Sequence, residues 1–117
     1  MKRVCANQLQ QYVETVLRQG IGCNKGEAQE VARHLVRANL TGHDSHGVGM
    51  LPRYFNDAAK GLLTPNAEIK VEKNEGFAVV VDGNRGFGQR VTRGVLCIGT
   101  CRALQKLNVL RMVSLRT

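Results

Sequence analysis

Residues 41–54 read TGHDSHGVGMLPRY, and these fourteen positions hold two histidines, an aspartate, a serine, three glycines, an arginine and a tyrosine. Three kinds of chemistry fit such a cluster. A metal centre would draw on His43, Asp44 and His46, but a stable site needs a further protein ligand and a supporting shell. The only other histidine is His34, on the preceding helical stretch, and no cysteine lies near in sequence, so the pattern argues against a metal. A ligand clamp is the second possibility. His46 precedes Gly47, where the backbone can come close to a ligand, and an imidazole donates to a phosphate, carbonyl or carboxylate. Arg53 can grip a carboxylate through two parallel hydrogen bonds, and Tyr54 offers one oriented hydroxyl. On a helix, Met50, Arg53 and Tyr54 share one face. The third possibility is a polar loop between packed helices with Tyr54 in the core. Residue types alone leave the last two open.

A second candidate is the glycine-rich stretch GNRGFGQ at 83–89, which lies between an apolar β-type run and a helical one. That is the setting of a dinucleotide-binding fingerprint. Gly86 and Gly88 supply its first two glycines, but Val91 occupies the third position, and no acidic residue follows Asp82 to bind a ribose hydroxyl. The expectation is a structural bend with glycines at positive φ, not a Rossmann site.

These stretches are positioned by elements with clear periodicity. Leu9, Tyr12, Val13, Val16 and Leu17 fall at helical spacing, predicting a first helix over about 7–19 that the glycines at 20–22 stop. Asn24 with Glu27 three residues on reads as a capping box, and Ala28, Val31, Ala32, Leu35 and Val36 carry a second helix to about Leu40, where Gly42 breaks it. Leu51, Tyr54, Phe55, Ala58 and Ala59 predict a third helix over 48–60, with Pro52 in its first turn. The period then changes. Ile69 and Val71 alternate with charged neighbours, as in a strand with one wet face, and FAVVVDG reads as a buried strand paired to it through a turn at 75–76. A helix over 88–106, with Val91, Val95, Ile98, Leu104 and Leu107 as its apolar side, and a strand over 109–116 follow. The fold class is therefore α/β (α+β): a helical segment, 1–63, followed by a hairpin, helix and strand, 64–117, that begin a mixed sheet. So small a sheet leaves apolar face and edge uncovered, the mark of an incomplete domain within something larger.

Composition narrows the class. With 43% hydrophobic and 22% charged residues the chain reads as soluble and globular, and no apolar run approaches the ~20 residues that span a bilayer. The start, MKRVCANQLQQ, shows no secretory signal, which places the protein in the cytoplasm with Cys5, Cys23, Cys97 and Cys101 as reduced thiols. Cys97 and Cys101 share a helix face and read as small buried hydrophobes. The net charge of +8 is uneven: residues 1–82 hold ten basic and nine acidic residues, whereas 83–117 hold seven basic residues and no acid. Such a stretch suits an anionic cofactor, acidic partners on another subunit or on missing sequence, or nucleic acid. Phe87 alone offers a stacking ring there, which is thin for single-strand binding.

Taken together, residues 38–89, ANLTGHDSHGVGMLPRYFNDAAKGLLTPNAEIKVEKNEGFAVVVDGNRGFGQ, resemble the malate/L-lactate dehydrogenase family of the second, non-Rossmann type. That family includes ureidoglycolate, sulfolactate and hydroxycarboxylate dehydrogenases and cyclic-imine reductases. The pattern D-S-H-G…L-P-R-Y, then G-L…P, then D-G…G-x-G-Q carries the likeness, which extends over about 9–115. It implies a longer, dimeric protein that moves hydride between NAD or NADP and a small 2-hydroxy or 2-keto acid, with no membrane or nucleic-acid partner. By the resemblance His46 contacts the cofactor and Tyr54 lies at the substrate pocket, with Arg53 sharing its motif. Met50 stands where many members have arginine, so the substrate acid stays open. The family's general acid/base histidine falls beyond Thr117, so the resemblance places no catalytic residue within these 117 residues, and the expectation is an N-terminal portion inactive on its own. The competing reading is a small basic nucleic-acid- or protein-binding module without activity, using Arg90, Arg93, Arg102 and Lys106.

Overall fold

The structure, a computed structural model, describes residues 2–75, 78–105 and 112–116. The chain divides into two compact units, Met1–Asn66 and Ala67–Thr117.

The first unit is helical. Helix α1 spans Ala6–Val16 and continues through one wider π turn, Leu17–Ile21, before Gly22 ends it at φ +89°. The glycine stop is where the sequence puts it, reached through a π turn that the 3.6-residue period does not announce. Val13 and Leu17 of the apolar stripe are buried, but Tyr12 is 64% exposed and lies off the packed face. Helix α2, Lys25–Leu40, packs against α1 and buries Ala28, Val31, Ala32, Leu35 and Val36. Helix α3, Leu51–Ala59, is entered through a 3-10 turn over Val48–Met50, with Pro52 in its first turn, where proline's missing N–H costs no hydrogen bond.

The start of α2 shows how far local pattern carries. Asn24 Oδ1 accepts from the Glu27 amide at 2.8 Å, as an N-cap does. The reciprocal half of a capping box is missing. Asn66, at φ +57°, takes that place: its Oδ1 accepts from the Asn24 amide at 2.6 Å, its Nδ2 donates to the Gly22 carbonyl at 2.9 Å, and its own amide donates to Glu27 Oε1 at 2.8 Å. The Glu27 carboxylate is thus buried, 1% exposed, where it accepts a backbone amide 39 residues away. Burial, aided by the neighbouring Glu27 charge, pushes the Cys23 thiol up to about 12, an inert thiol at neutral pH.

The second unit is a three-stranded sheet of order β1-β2-β3 with one helix: β1 Lys70–Glu75, β2 Ala78–Asp82, α4 Gly88–Gln105 and β3 Met112–Arg116. β1 and β2 are antiparallel and β2 and β3 parallel, which requires a crossover, and α4 provides it. Val79 and Val81 of β2 pack with Val91 and Val95 of α4, and Ile69 closes the cluster. Each such side chain contributes about 1.5–3 kcal/mol of burial. The expected alternation of Ile69 and Val71 does not hold: the pairing shifts between Val71 and Lys73, and Val71 is 39% exposed. An irregularity of one residue sends the next side chain to the other face. Cys97 is exposed, against the buried reading, while Cys101, Leu104, Leu107 and the 75–76 turn fall outside the described side chains and turns.

Candidate functional site: the loop between α2 and α3

Three local decisions shape residues 41–50. Gly42, at φ +80°, ends α2, where its amide bonds the Asn39 carbonyl at 3.1 Å. Asp44–His46 then forms one 3-10 turn, closed by the His46 amide on the His43 carbonyl at 3.0 Å. A second 3-10 turn, Val48–Met50, leads into α3. The first of these turns lies at the surface, with Thr41 to His46 all exposed, whereas Val48 and Met50 of the second are half-buried.

Within this loop the structure brings His43 and His46 together, with ring centroids 5.5 Å apart and planes at 70°, an edge-to-face pair. Ser45 Oγ lies 3.0 Å from His46 Nδ1. Arg53 is in the first turn of α3 with Nε 3.7 Å from Asp57 Oδ2, a long ion pair on a largely exposed guanidinium. Tyr54 is half-buried on the same helix, and Met50 is half-buried in the turn before it. His34, the remaining histidine, sits on α2 with Nε2 3.1 Å from Glu30 Oε1. That carboxylate also accepts from Arg33 at 2.9 Å, which ties His34 to the helix surface and away from the loop.

Asn39 is the residue that sequence reasoning passed over. Standing in the last turn of α2, it donates from Nδ2 to Asp44 Oδ1 at 2.7 Å and accepts at Oδ1 from the Val48 amide at 2.8 Å. Gly47, between those two partners, is buried, with φ −91°. A Cβ built on it would lie 2.2 Å from Asn39 Oδ1 and 2.4 Å from Cγ. The room at Gly47 is therefore filled by this chain's own amide, not held open for the approach of a ligand to the backbone. A weak helix former in a closing helical turn, five residues before an aspartate, was the available signal.

The other glycine-rich stretch is a different construction. The positive φ values in 83–88 belong to Asn84, +49°, and Arg85, +58°, not to the glycines. The Gly86 amide bonds the Gly83 carbonyl at 2.9 Å across them, as in a type I′ turn. Asp82 Oδ1 accepts from the Asn84 amide at 2.8 Å, and Asn84 Nδ2 donates to the Glu68 carbonyl at 2.7 Å. A Cβ on Gly83 would meet Val91 Cγ1 at 2.8 Å, and one on Gly86 would meet Val91 at 3.0 Å and Ala67 at 3.1 Å. Val91, at the third fingerprint position, is thus the group that the glycines make room for. Phe87 is buried rather than presented for stacking, 1% exposed.

The chain thus combines a helical unit that presents a histidine loop with a mixed β-β-α-β unit whose glycine turn is packed with valine. The chain belongs to the malate/L-lactate dehydrogenase family, whose model matches residues 4–110. Hydroxycarboxylate dehydrogenase B of Escherichia coli (strain K12) is 42% identical over 103 residues, which cover 88% of this chain and 28% of that protein. Among solved structures, a candidate malate/lactate dehydrogenase from E. coli superposes with TM-score 0.83 at 41% identity, over 90% of this chain and 29% of that one. A dehydrogenase from Sinorhizobium meliloti superposes with TM-score 0.88 at 26% identity, over 98% of this chain and 35% of that one. The chain thus spans about 28% of the length of hydroxycarboxylate dehydrogenase B from two Escherichia coli strains. Among the described residues, no helix is long and apolar enough to cross a membrane.

Proposed function

We propose that these residues form the cofactor-side and substrate-side wall of an NAD(P)-dependent oxidoreductase acting on a small 2-hydroxy or 2-keto acid. His46 faces the cofactor, and Tyr54 with Arg53 faces the acid. The observation that carries this reading is the exposed His46 ring beside Ser45 on a loop tied down at Asp44 and Val48. When the Ser45 hydroxyl donates to Nδ1, the neutral ring holds its proton on Nε2 and donates there to a carboxamide or phosphate oxygen. The donor set fits a nicotinamide dinucleotide, which when bound supplies the hydride. Arg53, with its guanidinium largely exposed, suits a substrate carboxylate, and the Tyr54 hydroxyl orients the substrate oxygen. Reduction of a keto acid also needs a proton donor within reach of the developing alkoxide. In this reading none of the three histidines is that donor: His34 is held by Glu30, His46 is assigned to the cofactor and His43 packs edge-to-face against His46, so the 117 residues by themselves turn over no substrate. A dimeric, cytoplasmic enzyme is part of the same proposal.

Equilibrium titration with NADH and with NADPH tests it. The chain is expected to bind at least one of them at roughly millimolar strength, and His46→Ala to weaken that binding about tenfold, the value of one hydrogen bond. Unchanged binding by His46→Ala would remove His46 from the cofactor site. Keto-acid reduction above background by the 117 residues would refute the inactivity.

A further inference from the structure

We propose that Asn39 is the positioning residue for His46. It brackets the histidine from behind, and Gly47 is glycine because the Asn39 amide occupies the place of a Cβ. The inference rests on the reading of His46 as a cofactor contact, but its geometric part stands apart from it.

One carboxamide makes two bonds of opposite sense. Its NH2 donates to Asp44 two residues before His46, and its carbonyl oxygen accepts from the Val48 amide two residues after. A carboxamide is the only short side chain that offers both a donor and an acceptor in one plane. The five residues from Asp44 to Val48 comprise a 3-10 turn, Gly47 and the start of the next turn, with the His46 and Gly47 amides bonded back to the His43 and Asp44 carbonyls at 3.0 and 3.1 Å. His46 therefore sits at the middle of a closed ring of hydrogen bonds whose base is rigid helix. Donation from the amide to a carboxylate is charge-assisted and is the stronger of the two anchors. Contact between Gly47 and Asn39 fixes the same geometry by exclusion: a methyl group at 47 would lie 2.2 Å from Oδ1 and 2.5 Å from Nδ2 and would displace both anchors together. Asn39 itself is half-buried in the last turn of α2 and touches the ligand face only through the loop that it holds.

Amide hydrogen exchange at Val48 and NADH titration, on the same set of 117-residue variants, test the two parts. Asn39→Ala is expected to speed exchange at Val48 about tenfold while amides in the middle of α2 keep their wild-type protection, because only one anchor is released. Asn39→Asp, which keeps the acceptor for Val48 but opposes the Asp44 carboxylate, is expected to retain much of the Val48 protection. Equal exchange at Val48 in Asn39→Ala and wild type overturns the bracket. For NADH, Asn39→Ala is expected to weaken binding about tenfold, and the Asn39→Ala/His46→Ala pair to bind no more weakly than His46→Ala alone, because Asn39 acts through His46. Additive losses overturn that route and make Asn39 a generally structural residue. If wild type binds neither NADH nor NADPH, the cofactor role of both residues falls, and the Val48 result still decides the bracket.

Discussion

Two glycine-bearing turns of this chain look alike in sequence and are built on opposite principles. In the loop at 42–50, Gly47 gives way to the polar amide of Asn39, and the contact comes with two hydrogen bonds that hold a histidine outward. In the turn at 83–88, Gly83 and Gly86 give way to Val91, and the result is a dry, close approach of helix α4 to the end of β2, with Phe87 buried beside it. Gly47, Gly83 and Gly86 are each filled by this chain's own side chains, and none of the three adopts positive φ. One turn spends its close contact on aiming a side chain, the other on packing a core. That difference puts the candidate site at the first turn and leaves the second as scaffold, although it is the second that imitates a dinucleotide fingerprint.

The comparison has measurable consequences. Phe87→Ala should destabilise the chain by about 3–5 kcal/mol in denaturant unfolding, the cost of emptying a packed aromatic position. A cost below about 1 kcal/mol would mean that the turn at 83–88 is not core. Gly83→Ala should cost about 1–3 kcal/mol through overpacking on Val91, and much less when introduced into Val91→Ala. If the two substitutions add, Val91 is not what the glycine accommodates. Gly47→Ala should cost less, about 1–2 kcal/mol, because the displaced group is a half-buried amide that can turn toward water. That cost should largely vanish in Asn39→Ala. Asn24→Ala, which touches neither turn, should cost about 1 kcal/mol as a lost N-cap, and it calibrates the scale for the other three.

Elements with strong local period were legible from the chain itself. The apolar stripe of α2, Val91 and Val95 of α4 and the β-branched run of β2 lie where their spacing puts them, and Asn24 caps as its position suggests. What was not legible involves contacts between residues distant in sequence or departures of a single residue. Asn66 completes the α2 cap from 42 positions away, which no local window contains. Val71 turns outward because the register shifts beside it. Cys97 is exposed although its spacing from Cys101 reads as a shared buried face, since the packed side of α4 is set by Val91 and Val95 meeting β2. In the glycine turn, the left-handed residues are Asn84 and Arg85, because a type I′ turn needs positive φ at its two centres and asparagine tolerates it. In the site, residue types pointed to His46, Arg53 and Tyr54, whereas Asn39 became visible only when the loop was folded back onto α2.

Histidine-ring NMR during NADH titration discriminates most sharply, because the chain carries its own reference. His46 and His34 both stand in the helical unit, one on the loop and one paired with Glu30 on α2. The proposed cofactor contact predicts that the His46 ring resonances move progressively with NADH or NADPH while those of His34 stay in place, and that Asn39→Ala reduces the movement. Resonances of His46 that stay fixed with both cofactors, or His34 moving as much as His46, would contradict it.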